Sequence, residues 1–285
     1  MIRSTRWHQM LLLLAFSSLV LVACDDDDDD NPGNGGNNEG KNYLPLAAGN
    51  WWDYDVVNTD STTGEPMEAT RHEQRASADN SQEFQGRQST TITFVRKDNN
   101  QEQENLNTSK DNNGDIYQYL DLFPIDELNI DGFPQIELPI GWYLVADLDA
   151  NSSWELDRTT VPEFDFPVPG TSLTAKIGGE IIATARKGEQ KTYTVKGASV
   201  QAQEYIITVD PALNLKVEII PGSPSTLPLQ GEVVVHVYLA EDIGIVEYTA
   251  DPVEFYVDVI GVGKESLVQL SGTQRILVDY SVTAE

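Results

Sequence analysis

The sequence predicts an all-β fold, mostly antiparallel, built as a sandwich or a curved half-barrel with few short helices. Three observations carry this. Apolar residues after Tyr43 recur with a period of two. Val, Ile, Thr and Tyr crowd the recurring segments, as strand propensity favours. Gly, Pro, Asn and Asp fall between them, where turns need them. No long segment repeats apolar residues at i, i+3, i+4 and i+7, the pattern a buried helix face requires.

In chain order, the predicted strands begin with Trp51 to Val57, Thr90 to Val95 and Ile116 to Leu120. Leu173 to Ile177, Glu180 to Ala185 and the alternating Thr192 to Lys196 follow, then Glu204 to Val209. Leu215, Val217 and Ile219 alternate with Lys216 and Glu218, giving one buried and one wet face. Glu232 to Leu239, Gly244 to Tyr248, Val253 to Val259 and Ile276 to Val282 complete the set. Turns are expected at Asn112-Asn113-Gly114-Asp115, Gly178-Gly179, Asp210-Pro211, Pro221-Gly222-Ser223-Pro224 and Asp251-Pro252. Short helical turns fit Asp121 to Leu128 and Ala198 to Gln203. Ile130 to Gly170, rich in Pro and aromatics, reads as a long crossing connection, or as a boundary between two β sub-domains near residue 150. One continuous β domain over 43–285 is the preferred organisation.

The first 23 residues read as an address. Arg3 and Arg6 form a positive start, and Leu11 to Val22 an apolar stretch shorter than the ~20 residues of a membrane-spanning helix. The stretch ends in Leu21-Val22-Ala23-Cys24, which resembles a bacterial lipobox. The resemblance implies cleavage before Cys24 and attachment of lipid to this lone cysteine, which anchors a chain without making it span. Six aspartates follow, Asp25 to Asp30, then a run of Asn, Gly, Pro and Glu to Gly40. Such a segment buries nothing and is expected to be a disordered tether. Its seventeen residues, Asp25 to Lys41, span at most roughly 60 Å at ~3.5 Å per residue. An acidic run directly after the lipidated cysteine resembles the export signal of Bacteroidota-type surface lipoproteins. It implies display on the outer face of the outer membrane, with a periplasm-facing position as the alternative.

Charge narrows the partners. The chain carries 18 Lys and Arg against 46 Asp and Glu, a net of −28. Cleavage before Cys24 removes Arg3 and Arg6 and no acid, moving the balance to −30. Nucleic acid binding needs clustered cations to displace counterions, so nucleic acid is excluded as a partner. With one cysteine in the chain there is no intrachain disulfide and no thiolate metal site. No cofactor is expected.

Tyr43-Leu44-Pro45-Leu46-Ala47-Ala48-Gly49-Asn50-Trp51-Trp52-Asp53-Tyr54 resembles the opening Tyr-x-Pro-Leu-x-x-Gly-Asn-x-Trp-x-Tyr of a group of Bacteroidota-type envelope lipoproteins. Tyr238 to Val246 is similar to that group's aromatic-x-Ala-x-x-Val/Ile-Gly-Leu/Ile-Val. The middle departs: Thr194-Val195-Lys196-Gly197-Ala198-Ser199-Val200 lacks the group's Pro and Phe. The resemblance bears on fold and carries over no catalytic residue. Both motifs read as folding devices. Gly49-Asn50 suits a tight turn, and the strand it launches puts Trp52, Tyr54 and Val56 on one face with Trp51, Asp53 and Asp55 on the other. Gly244 suits a bulge or a close backbone approach.

The residues suggest four chemistries. Asp111, Asn113 and Asp115 are spaced like the first ligands of a calcium loop, but Gly114 is misplaced for an EF-hand and Leu122 stands where Glu would close it. A hairpin turn explains the same residues. Trp51, Trp142, Tyr143 and Trp154 could present an aromatic platform to a glycan, or fill a core. Acid pairs such as Asp126/Glu127 or Glu163/Asp165 suit a two-carboxylate hydrolase, yet no nucleophile, zinc or phosphate motif accompanies them. His236 sits inside an apolar run and reads as a strand residue. A curved sheet with many β-branched residues could also hold an apolar ligand. The expected function is a non-enzymatic binding or structural role for a membrane-anchored protein. A glycan, an apolar ligand or a protein is the expected partner.

Overall fold

The computed structural model describes residues 42–122, 139–167, 174–220, 223–259 and 263–283. The signal segment, the lipidation site at Cys24 and the acidic tether expected from the sequence lie outside the described residues.

The fold is all β, and among the described residues one 3-10 turn stands at Glu68–Thr70. Its strands are β1 (Trp51–Thr59), β2 (His72–Ala78), β3 (Gln82–Phe84), β4 (Arg87–Arg96), β5 (Gln101–Lys110), β6 (Ile116–Asp121), β7 (Ile140–Ala146) and β8 (Trp154–Pro167). Then come β9 (Thr174–Val195), β10 (Ala198–Ile220), β11 (Ser223–Pro228), β12 (Val233–Ala240), β13 (Gly244–Ala250), β14 (Val253–Val259), β15 (Gly263–Leu270) and β16 (Gly272–Ser281). Every pairing is antiparallel. One fourteen-stranded sheet runs β7-β6-β5-β4-β2-β1-β16-β13-β12-β10-β9-β8, with β3 on β4 and β11 on β10, while β14 and β15 form a separate pair.

The sheet curls until it nearly closes into a barrel. Its two end strands meet where the Trp154 indole of β8 donates to the Leu144 carbonyl of β7 at 2.8 Å. One cluster fills the barrel end where the chain comes in, here called proximal. The segment after Asn42 crosses that end, burying Leu44, Pro45 and Leu46 against Trp52, Tyr143, Tyr205 and Val246. A second cluster lies at the distal end, where the outer halves of β8, β9 and β10 face the β14–β15 pair through Phe166, Ile177, Leu215 and Phe255.

Several expectations are corrected. Gly178-Gly179 and Asp210-Pro211 are not turns. They lie on facing strands inside the long β9–β10 hairpin, offset along it, with Pro211 against Ile181 and Leu213 against Gly179. Glycine is required there because a Cβ on Gly179 would stand 2.4 Å from the Ala212 carbonyl oxygen. Pro211 is tolerated because β10 leaves β12 after Val209 and meets β11 only from Asn214, so no ladder bond is lost at that edge. Ala198 to Gln203 is strand, not helix. The expected helical turn at Asp121 to Leu128 begins in β6 and otherwise lies outside the described residues. Within the Pro-rich stretch from 130 to 170, the described residues form most of β7 and β8 rather than a loop. Pro162 sits in a register break of β8, an end strand where proline costs least. The turn at Asn112 to Asp115 is present, as is the break at Asp251-Pro252 between β13 and β14.

Candidate functional site: an ion pair across the barrel interior

The two motifs at the ends of the domain meet in space. Trp52 is 2% exposed, and its indole donates to the Ile243 carbonyl at 2.5 Å. The Tyr54 hydroxyl donates to the Ile245 carbonyl at 3.0 Å. Gly244 lies between those carbonyls at φ +109°, and a Cβ there would stand 3.0 Å from the Trp52 indole nitrogen. Glycine meets both demands, positive φ and close approach. Asn50 completes the lock. Its side chain accepts from the Thr283 amide at 2.8 Å and donates to the Pro45 carbonyl at 3.1 Å. As the sequence implies, both motifs hold the barrel together.

Alternation on β1 sends Trp52, Tyr54 and Val56 inward. Register carries the inner row onward: Val237 of β12 faces Tyr248 of β13, Tyr248 faces Arg275 of β16, and Arg275 faces Val56. Arg275 does not stay on its own wall. Its Nη2 donates to Glu104 Oε2 of β5 at 2.8 Å. These residues are four strand steps apart, about 19 Å along a flat sheet at ~4.8 Å per step. The pair therefore spans the interior as a chord. The guanidinium lies 5.1 Å from the ring centres of both Phe94 and Tyr248. Burial works against its charge, but Glu104 more than offsets this and holds Arg275 above its ordinary pKa. The side chains keep 15% and 20% of their surface exposed. The Arg275 Nε–H is buried with no acceptor.

A second polar network lies on the outer face. Gln203 and Tyr205 bracket a bulge in the β9–β10 ladder, and the hairpin beyond it reaches back over the sheet. Its tip is a two-residue turn, Lys196-Gly197, with φ +52° and +79°, as a mirror-image hairpin turn needs. Pro could not supply that turn, which accounts for the motif's departure here. Lys191 and Tyr193 of this tip reach Glu247 of β13, three strands away. Glu247 is 5% exposed and also accepts from Gln274 at 2.8 Å. Glu204 accepts from Tyr238 at 2.7 Å and from the Glu189 amide at 3.1 Å, and lies 2.8 Å from His236 Nδ1. Gly188 makes the notch for this carboxylate, since a Cβ there would stand 2.0 Å from Glu204 Oε2. Burial pushes both carboxyl groups up. Hydrogen bonds from Lys191, Tyr193 and Gln274 to Glu247, and from Tyr238, His236 and the Glu189 amide to Glu204, hold both below the usual range. Burial and the adjoining carboxylates raise Tyr193 and Tyr238. Carboxylates held ionised and fully bonded clamp a hairpin; they do not exchange protons near neutrality.

The residues singled out from sequence are dispersed. Trp51 and Trp142 lie on the outer face, on strands separated by β2, β4, β5 and β6. Arg75 covers Trp51 at 4.0 Å. Trp142 packs edge-on against Phe84 and Tyr119, its indole donating to the Gln85 carbonyl at 3.1 Å. Tyr143, next along the strand, points into the core, and burial pushes its hydroxyl up to about 12. Strand alternation alone keeps Trp142 and Tyr143 from sharing a platform.

Asp111 accepts from the Asn113 and Asp115 amides at 2.9 and 3.0 Å, and Asp115 from the Leu148 amide at 2.8 Å. Burial, with Asp111, Asp147 and Asp149 nearby, raises Asp115. These oxygens brace turns, and among the described residues no group of three or more His, Cys, Asp or Glu is placed to hold a metal. Glu163 and Asp165 pair with Lys216 and Lys176 on the surface. Asp126 and Glu127 lie outside the described residues. His236 is a strand residue of β12 bonded to Glu204.

Sequence reasoning did not find Arg275 and Glu104. One signal was available: Arg275 stands in the period-two register of an apolar strand, at an inward position where a cation needs a reason.

No family model matches the chain, and no curated protein matches it. Among solved structures it is similar to a provisionally named lipoprotein from Parabacteroides distasonis, with 8% identity, 85% of this chain and 100% of that one covered, and a TM-score of 0.40. It is also similar to a provisionally named exported protein of YmcC-like fold from Bacteroides fragilis, with 11% identity, 85% and 99% covered, and a TM-score of 0.34.

Proposed function

We propose that this chain is a lipid-anchored protein of a bacterial envelope, displayed on the outer surface, whose β domain acts by binding rather than by catalysis. The observation that carries the reading is where the chain joins the barrel. Asn42 lies at the proximal end, where its carbonyl accepts from the Asp242 amide at 2.7 Å. The long β9–β10 hairpin carries the second core to the opposite end. A lipid on Cys24 would thus tie the domain to the bilayer through its proximal end and leave the distal end free of the tether. The acidic tether and the resemblance of the end motifs to envelope lipoproteins support the same reading. Binding is favoured over catalysis because the buried carboxylates on the outer face are saturated with donors.

Intact mass spectrometry of the purified protein tests the anchor. The expected chain starts at Cys24 and carries acyl mass, and Cys24→Ser abolishes both processing and acylation. A different first residue, or no added acyl mass, overturns the anchor. Protease treatment of whole cells tests display. Digestion is expected, and protection would place the domain facing the periplasm.

A further inference from the structure

We infer that the barrel interior binds a single-chain amphiphile with an anionic head, its head at Arg275 and its chain along the aliphatic inner wall. The inference deepens the binding role proposed above and rests on it, but does not depend on acylation of Cys24.

The wall comes first. Inward residues of a closed, packed barrel are fully covered by one another. Here they are not. Leu106 of β5, Leu120 of β6, and Val235 and Val237 of β12 pack against the proximal core, yet each is only partly buried. Leu122 and Leu156 touch both the proximal and the distal cluster, which places this half-covered surface between the two cores. Its side chains are aliphatic and match a hydrocarbon chain better than a sugar face, which calls for flat aromatic rings and polar rims.

Width comes second. Arg275 and Glu104 bond directly across four strand steps, so the interior beside that chord is about two side chains across. A folded partner does not fit such a space, whereas one extended chain does.

The head comes third. Glu104 occupies one terminal nitrogen of Arg275, and the Nε–H stays buried without an acceptor. Buried donors are normally satisfied, and a buried guanidinium especially so. An anionic oxygen supplies the missing acceptor as a charge-assisted hydrogen bond, beside a buried cation in a chain of net charge −28.

The test uses the mature lipidated chain in nanodiscs with a palmitate carrying a diazirine and an alkyne. After irradiation, adducts are mapped by peptide mass spectrometry. Light-dependent adducts are expected on peptides holding Leu106, Leu120 or Val237, competed by unlabelled palmitate. The matching diazirine alcohol, which has no charge, should label those peptides at least about fivefold less. Arg275→Gln should lower palmitate labelling by a similar factor. Val237→Trp, which narrows the space two strands from Arg275 and leaves both members of the ion pair in place, should abolish it. Circular dichroism melts identify any variant that does not fold, and the palmitate–alcohol comparison needs no variant. Adducts confined to the outer face or to residues before Asn42 overturn the inference, as does equal labelling by acid and alcohol. In either case an acylated Cys24 would leave the anchoring reading standing.

Discussion

The outer clamp and the inner chord are both built on glutamates, and they are finished differently. On the outer face, Glu247 takes hydrogen bonds from Lys191, Tyr193 and Gln274, and Glu204 is bonded by Tyr238, His236 and the Glu189 amide. Inside, Arg275 and Glu104 share one short contact, and a guanidinium donor is left over. Through Glu247 the clamp joins the hairpin tip to β13, a strand that β9 does not pair with, and in both carboxylates each oxygen is used for holding. The chord spans an interior whose walls are half covered. Buried polar groups are normally satisfied, and at Arg275 the unsatisfied donor coincides with a half-covered apolar wall.

That contrast can be broken by substitution. The largest effect is expected from the frame on which both networks depend. Trp52→Ala should cost about 4 kcal/mol, as removal of a buried Trp does, and should loosen clamp and chord together in chemical denaturation. If its cost falls below about 1 kcal/mol, the Trp52–Gly244 lock is not what joins the two ends of the domain.

Next is the clamp alone. Glu247→Ala strips the acceptor from three donors and should cost about 2–3 kcal/mol. Amide exchange should quicken across residues 189–203 and stay slow in β4 and β5. Uniform acceleration throughout the barrel would mean the tip is not a separable element.

Acid should act on the same place. Glu204 and Glu247 titrate below their ordinary value of 4.5 in the folded protein. Their stabilisation is therefore complete above that value and is lost as pH falls through the lowered folded pKa values. Melting temperature should drop steeply below about pH 4.5, and the Glu247→Gln protein should lose part of that dependence. An unchanged acid profile in the variant would show that other carboxylates drive acid unfolding.

The smallest change is expected inside. Replacing both partners of a buried ion pair by apolar residues is often neutral, so Arg275→Met with Glu104→Leu should lie within about 1 kcal/mol of wild type. A loss of about 3 kcal/mol or more would make the chord a structural pair like the clamp and erase the distinction.

Much of this was legible in the chain. Alternation at Leu215, Val217 and Val253 to Val259 marked strands, because one face of each is buried. Gly244 and the Gly49-Asn50 pair stood out as backbone devices, and the structure gives them positive φ or close contact. β5, with Leu106 almost its lone apolar residue, did not read as a strand, since its partners β4 and β6 hold it rather than its own pattern. Gly178-Gly179 and Asp210-Pro211 carry turn chemistry but serve a long hairpin, where each answers a local packing need. The inner chord was hidden for a different reason. Arg275 and Glu104 are 171 residues apart, and only the curl of the whole sheet brings them together.

The course of the chain at the proximal end also decides how the domain carries load. A pull on the chain ahead of Asn42, against a distal end held by something outside, draws β1 along its own axis between β2 and β16. Both ladders are then strained in shear, with their backbone hydrogen bonds loaded together instead of peeled one at a time. That tension arrives first at Asn42, bonded to the Asp242 amide, and passes the buried Leu44 to Leu46 before it reaches Asn50 and Trp52, cross-bolted to Thr283 and Ile243. A domain so threaded resists extraction by traction on its leash far better than one hung from an edge strand would.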